Sequence, residues 1–356
     1  MEDSDSKNMQ AIHISNFHPH TEPFSSLRPS TIAIPTPNTR KDELLVKITY
    51  TSLQQVDLLY ARGKHQNNNA KHGHVRPPFV LGIDFVGVVI TGDHEKKSTP
   101  GTRVMGSGLG AFAEYITIPA SSVRRIPDRL SDADAVALVG GVVSYAALTR
   151  IAGLRPGENV LVTGVPGGLG VVAAQVASQI TGGKGGKVFV LGRTRGRIDG
   201  LRDTMGGHEV FAADEHGWTE AVKAATGGKG VDVVIDNAGL VEDSLRCLKY
   251  GGRIVVVGFA GRGGVMEKGP MNKVLLKGAK VIGYRYGEGI RQGLDDVDDI
   301  WNGYLDMLNT NTIKAVVHEK IYRGIESIPM ALQDMEDGIA RGKALINVQK
   351  GQQAKI

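Results

Sequence analysis

Residues 159–163 (NVLVT) read as a short strand that runs into Gly164-Val165-Pro166-Gly167-Gly168-Leu169-Gly170, and an apolar helical stretch over 171–180 follows without a break. A strand that turns on glycines straight into a helix opens a βαβ unit. Such units build a parallel sheet with helices on both faces. Further strands are expected over 188–191, 209–211, 231–236, 253–258 and 280–283, with helical segments between most of them. The second half of the chain is therefore expected to be a doubly wound α/β domain.

The same turn suggests a ligand. Backbone amides at the start of such a helix can hold a pyrophosphate, Gly167 permits close approach, and Gly170 permits helix–strand packing. Val165 stands where the dinucleotide fingerprint has its first glycine, so the reading rests on the strand–turn–helix context, against a plain glycine turn. After the next strand comes Gly192-Arg193-Thr194-Arg195-Gly196-Arg197, with no acid to take a ribose 2′-hydroxyl. Guanidinium groups and a hydroxyl suit a 2′-phosphate, which favours NADPH; the competing reading is a solvated basic helix start. The Gly/Lys run over 182–187 lacks the Ser or Thr of a phosphate loop and reads as a helix-to-strand turn.

The first half has another period. Residues 44–51, 79–90 and 113–118 are β-rich or alternating, and 64–78 reads as a loop, so residues 9–126 are expected to form an antiparallel, barrel-like domain. Ser131 precedes an apolar helix, which places the second domain over 127–291. A helix near 294–308, a strand near 313–321, a helix near 325–340 and a strand over 344–348 would return to the first domain as 292–356.

Two domains also fit the length of 356 residues. Cys247 is the only cysteine, so an intramolecular disulfide and a Cys-rich zinc site are excluded and a reducing, cytoplasmic setting is expected. The first eight residues have no apolar core of a secretory signal, and no run of about 18 apolar residues suggests a membrane span. The net charge of +5 is scattered, which argues against nucleic acid and for a local anionic ligand.

Several ordered motifs resemble the medium-chain dehydrogenase/reductase superfamily, in its quinone oxidoreductase and enoyl reductase branch. They are 78–89 (PFVLGIDFVGVV), 100–104 (PGTRV), 113–115 (AEY), 154–162 (LRPGENVLV), 226–234 (TGGKGVDVV), 251–255 (GGRIV) and 342–345 (GKAL), and the likeness spans about residues 44–348. The resemblance implies a GroES-like β-barrel-type substrate domain, a Rossmann domain, a cleft between them and a homodimer. The positions that hold catalytic zinc in zinc-dependent relatives fall on Gln54, Ile83 and Val139, which supply neither thiolate nor imidazole. His18/His20 and His65/His72/His74 lie in loops without ligand spacing.

Without zinc, conjugate reduction is the more accessible chemistry, with an enone or quinone as substrate. By the resemblance Gln54 replaces an Asn of the branch and is the leading catalytic candidate. His65 stands near a substrate-facing Tyr of the family, with solvent exposure as the alternative, and Val56 and Val143 replace hydroxyl residues. Asn237, Gly258, Phe259 and Lys343 join the cofactor-binding candidates, with core packing as the alternative for Phe259. Tyr284 and Tyr286 follow the strand expected over 280–283 and are candidates to face the cleft, Tyr284 as a catalytic group, with a structural role as the alternative for each. Two further readings stay open: an enoyl reductase acting in trans on a synthase-bound chain, and a non-catalytic NADPH-binding regulator.

Overall fold

The computed structural model describes residues 7–71, 73–92, 99–198, 208–262, 265, 267–294 and 296–349. The chain forms two units, Met1–Val139 with Val317–Ile356, and Gly140–Val316.

In the first unit the strand Glu43–Ser52 is the organiser. Its sequence alternates between buried and less buried side chains, and it pairs antiparallel with Asp84–Thr91 along one edge. On its other edge it pairs with Tyr115–Pro119 over its first half and Leu345–Asn347 over its second. Arg103–Ser107, Val123–Arg125 and Tyr322–Arg323 complete a seven-stranded, mainly antiparallel sheet. Its core gathers Phe24, Leu44, Val46, Ile48, Phe85 and Phe112. The β-rich run 79–90 is split into Phe79–Val80 and Asp84–Thr91. Gly82 causes the break: its φ is +91°, and a Cβ there would lie 2.3 Å from the Phe112 ring.

The second unit is a six-stranded parallel sheet in the order Glu209–Ala212, Val188–Gly192, Val160–Val165, Val231–Asp236, Leu248–Val256, Lys280–Gly283. Counted in chain order that is 3-2-1-4-5-6, the Rossmann arrangement. The strand order reverses between Val160–Val165 and Val231–Asp236, and the glycine turn lies at the end of the first of these. Phe189, Leu191, Trp218, Val234 and Ile254 are among the residues of its core.

Two helices sit in other units than the change of period suggests. Asp132–Leu138, capped by Ser131 Oγ accepting from Asp134 N–H, packs on the first unit. Asp132 accepts from Thr49 Oγ1 at 2.6 Å and from Arg103, and Ser52 Oγ donates to Val136 O. Val297–Asn309 belongs to the second unit, where Tyr304 is fully buried beside Gly141 and Tyr145 lies against Gly303.

The strand expected over 313–321 does not form; one bridge, Val317 to Lys343, and the short Tyr322–Arg323 take its place. Both backbone groups of Lys314 are bound by the Gln175 side chain, at 2.8 and 3.0 Å, which removes them from any ladder. Asp132–Ile151, against expectation, is a helical run long and apolar enough by length and composition to cross a bilayer; 67% of that window is buried within the protein.

Candidate active site

The turn 164–170 is held by backbone geometry. Gly164 has φ +77°. A Cβ on Gly167 or Gly170 would come within 2.8 or 2.7 Å of Gly164 O, so neither position tolerates a side chain without movement. Gly167 caps the helix Gly168–Thr181, its own N–H donating to Gly164 O. Pro166 has no N–H, and the amides of Gly168, Leu169 and Gly170 meet no acceptor among the described residues. Ser144 Oγ donates to Leu169 O at 2.8 Å and fixes the first turn from behind.

At the neighbouring strand end Asp236 is fully buried and accepts from Thr163 Oγ1 and from the amides of Ala238, Gly239 and Leu240 at 2.7–3.1 Å. This clamp turns the chain so that Asn237 N–H reaches Thr163 Oγ1 and Asn237 Nδ2 reaches Thr163 O. Asn237 Oδ1 is left buried without a partner, and the Asn237 Cβ lies 3.0 Å from where a Gly164 Cβ would stand. Gly258 N–H and Val257 N–H both reach Asp236 O, which brings Gly258 and half-buried Phe259 to the same end of the sheet. Tyr284 is 6% exposed, with its N–H bonded to Val256 O and its ring edge-on to Tyr286.

The arginine run is divided. Arg193 is exposed and has no partner among the described residues, and Thr194 is half-buried beside it. Arg195 is engaged by Glu215 through two bonds, Nε to Oε1 at 2.7 Å and Nη2 to Oε2 at 2.5 Å, and its Nη1 donates to Val210 O. Arg197 lies in the short helix Arg195–Ile198. Gly192 matters too, since a Cβ there would strike Ile198 at 2.2 Å.

The remaining candidates lie in the first unit. Gln54 is the N-cap of Gln55–Ala61; its N–H donates to Asp57 Oδ2 at 2.7 Å and Asp57 N–H returns to Gln54 O. Asp57 is completely buried with Oδ1 unpartnered. Burial pushes its carboxyl up to about 8; the Gln54 N–H opposes this, the Asp84 charge adds to it and Lys343 opposes it. Lys343, expected at the cofactor, has its Nζ 2.9 Å from Asp84 Oδ2 in an ion pair whose side chains are 9% and 1% exposed, and Ser107 Oγ donates to the other Asp84 oxygen. His65 stacks on Tyr60 at 4.1 Å and accepts from Asn67 N–H through Nδ1. Ile83 packs half-buried on the core and Val139 is buried. Among the described residues no three His, Cys, Asp or Glu side chains gather to hold a metal; His72 lies outside them.

The structure brings the turn, Asn237 and Gly258 of the sequence candidates to one end of the sheet, and it adds Asp57, Asp84, Asp236 and Glu215, which are not among those candidates. The Gln54-x-x-Asp57 spacing of a capped helix start is the one local signal that points to any of these four.

The comparisons agree with this architecture. Residues 40–128 match the alcohol dehydrogenase GroES-like domain and residues 168–303 the zinc-binding dehydrogenase family. Quinone oxidoreductase of Sus scrofa is 30% identical over 265 residues, 71% of this chain and 74% of that protein. Quinone oxidoreductase-like protein 2 of Bos taurus is 32% identical over 269 residues, 73% of each. The crystal structure of a probable oxidoreductase from Mycobacterium abscessus superposes with a TM-score of 0.79 at 30% identity, covering 96% of this chain and 99% of that one. A GroES-like unit and a Rossmann unit with a glycine turn at the switch point define a dehydrogenase/reductase class. The chain belongs to the medium-chain dehydrogenase/reductase superfamily, in its quinone oxidoreductase branch, and is an oxidoreductase.

Proposed function

We propose that this oxidoreductase is an NADPH-dependent, zinc-independent reductase acting on a quinone or on the C=C bond of an α,β-unsaturated carbonyl. The observation that carries the reading is the switch point: three amides at Gly168, Leu169 and Gly170 that meet no acceptor among the described residues, at the same sheet end as the buried and unpartnered Asn237 Oδ1. The amides suit a pyrophosphate and Asn237 Oδ1 suits a donor on the same ligand, so the residues present fit a dinucleotide. Arg193 and Thr194, with no acid in that segment, suit a 2′-phosphate. The bound cofactor would supply hydride.

Gln54, Ile83 and Val139 at the family's zinc positions lack zinc-ligand character, so a hydrogen-bond donor must take the place of a Lewis acid. Gln54 is our candidate for that donor, to hold developing enolate oxygen charge while water delivers the proton. Cys247 is buried and its thiol is pushed up to about 12, which leaves it no nucleophilic role.

We also propose a homodimer. The edge strand Lys280–Gly283 and the exposed Met271, Leu275 and Leu276 of the helix Met271–Lys277, with Tyr250 beside Gly278, present an apolar surface next to a strand edge that meets no further strand among the described residues.

Titration with NADPH and NADH, followed by NADPH oxidation with a panel of quinones and enones, tests the function. Tight NADPH binding with turnover is expected. Equal affinities would overturn the cofactor choice, and binding without turnover of any acceptor would favour a regulator. Gln54→Ala should lower kcat for an enone by about 10–1000-fold with little change in NADPH affinity.

A further inference from the structure

The basic segment after Val188–Gly192 holds three arginines, yet they are not equivalent. Arg195 is gripped by Glu215 through two parallel bonds, while Nη1 is bonded to Val210 O. Glu215 follows the adjacent strand Glu209–Ala212, and Ala213 N–H bonds to Gly192 O, so its loop lies against the end of the strand that carries Arg193 and Thr194. The Arg195 guanidinium holds the Glu215 carboxyl below the usual carboxylate range. An acid in this neighbourhood is the group that a 2′-phosphate would meet as repulsion and a free ribose hydroxyl as an acceptor.

We propose that Glu215 sets the strength of the preference for a 2′-phosphorylated dinucleotide, with Arg195 as a positioning residue that masks the Glu215 charge, and Arg193 and Thr194 as the phosphate contacts. The inference rests on the NADPH reading given above and deepens it. A paired guanidinium donates to a carboxylate that already balances its charge, so it adds little to phosphate binding. Its removal does more harm than loss of a contact, because it uncovers an acid. The same geometry makes the preference adjustable at a residue outside the basic segment itself.

The test is a double-mutant cycle of Arg195→Ala and Glu215→Gln, with dissociation constants for NADPH and NADH measured on the full chain and thermal melting recorded for each variant. Arg195→Ala is expected to weaken NADPH by about 30-fold or more and to leave NADH unchanged or slightly tighter, on the scale of one charge-assisted bond. Glu215→Gln should tighten NADPH by up to about tenfold without affecting NADH. The double variant should recover NADPH binding to within about threefold of the parent. Failure of the double variant to recover would make Arg195 itself the phosphate ligand and overturn the inference. Equal changes for both cofactors in Glu215→Gln would make the pair merely structural and overturn it as well. Equal parental affinities for NADPH and NADH would instead overturn the cofactor choice, and recovery in the double variant would still decide the role of Glu215.

Discussion

Asp236 in the second unit and Asp57 in the first are both fully buried carboxyl groups at the edge of a candidate site, and their surroundings differ in one respect. Asp236 receives three backbone amides from the turn it shapes and a hydroxyl from Thr163 on the neighbouring strand. Asp57 receives the single N–H of Gln54, and its Oδ1 has nothing. The second unit satisfies this acid mostly with local backbone, adding one hydroxyl from the next strand. The first builds its interior from side chains that come from distant parts of the chain and leaves one acid short of donors. A carboxyl with several donors is an anchor, whereas one with a single donor stores an unfavourable ionisation.

The strongest way to break this contrast is to unpair the interior of the first unit. Lys343→Met would leave Asp84 with only the Ser107 hydroxyl for its side chain, and breaking such a buried pair typically destabilises by about 3–5 kcal/mol. Urea unfolding should show that loss, and Lys343→Met combined with Asp84→Asn should recover much of it. A loss below about 1 kcal/mol in the single variant would show that Lys343 is not held as an interior ion pair.

Asp57→Asn sharpens the contrast through pH. A carboxyl that titrates near 3.8 when unfolded and at about 8 when folded keeps its proton in the native state while the unfolded chain releases it. Stability from this group is therefore full below about pH 4, falls as pH rises toward 8 and levels off above, by an amount on the order of 5 kcal/mol. Asn carries no charge and can still accept the Gln54 N–H. Melting temperatures from pH 5 to 9 should fall for the parent and stay flatter for Asp57→Asn, with the variant the more stable at pH 8. Parallel profiles would mean that Asp57 ionises freely in the folded protein.

The same contrast explains what the sequence discloses. The parallel sheet and the turn are legible because their determinants are contiguous: Gly164, Gly167 and Gly170 fall within seven residues, and Gly167 and Gly170 both answer to the local approach of Gly164 O, although Gly164 itself faces distant Asn237. Asp84 and Lys343 are 259 residues apart, and Arg195 and Glu215 lie on loops after different strands, so their pairing is set by topology. The change of period puts the helix Asp132–Leu138 in the other unit, whereas the structure ties it to the first through the Thr49 and Arg103 bonds to Asp132, which come from distant sequence. The stretch over 64–78 has no periodicity to read, yet its described residues include a capped turn, Gln66–Asn68, built by His65.

In the second unit, Gly170→Ala would put a methyl 2.7 Å from Gly164 O and 3.0 Å from Val165 Cγ2. Backbone must move to relieve it, which should destabilise by about 1–3 kcal/mol and weaken NADPH more than about tenfold, since the displaced amides are those proposed to hold its pyrophosphate. Asp57→Asn, in contrast, should leave NADPH binding unchanged. Isothermal titration of both variants checks this, and an unaltered affinity in Gly170→Ala would remove the turn from the cofactor site.

His65 gives the smallest effect and separates its two readings. Its ring lies on Tyr60 with centroids 4.1 Å apart and planes 24° from parallel, and Nδ1 accepts from Asn67 N–H at 3.1 Å, so in the neutral ring the hydrogen sits on Nε2. Asn67 Nδ2 in turn donates to Tyr60 OH at 2.6 Å, which closes a small cluster of Tyr60, His65 and Asn67. A histidine placed in this way steadies the turn Gln66–Asn68. His65→Ala should therefore cost about 0.5–1.5 kcal/mol of stability, the size of one stacking contact or one capping bond. His65→Asn, which can still accept from the Asn67 amide, should regain part of that, and kcat for an enone should stay within about twofold in both variants. A substrate-facing role predicts the reverse: kcat falling well over tenfold with melting temperature unchanged, and no recovery in Asn, whose shorter side chain offers no second ring nitrogen to a substrate.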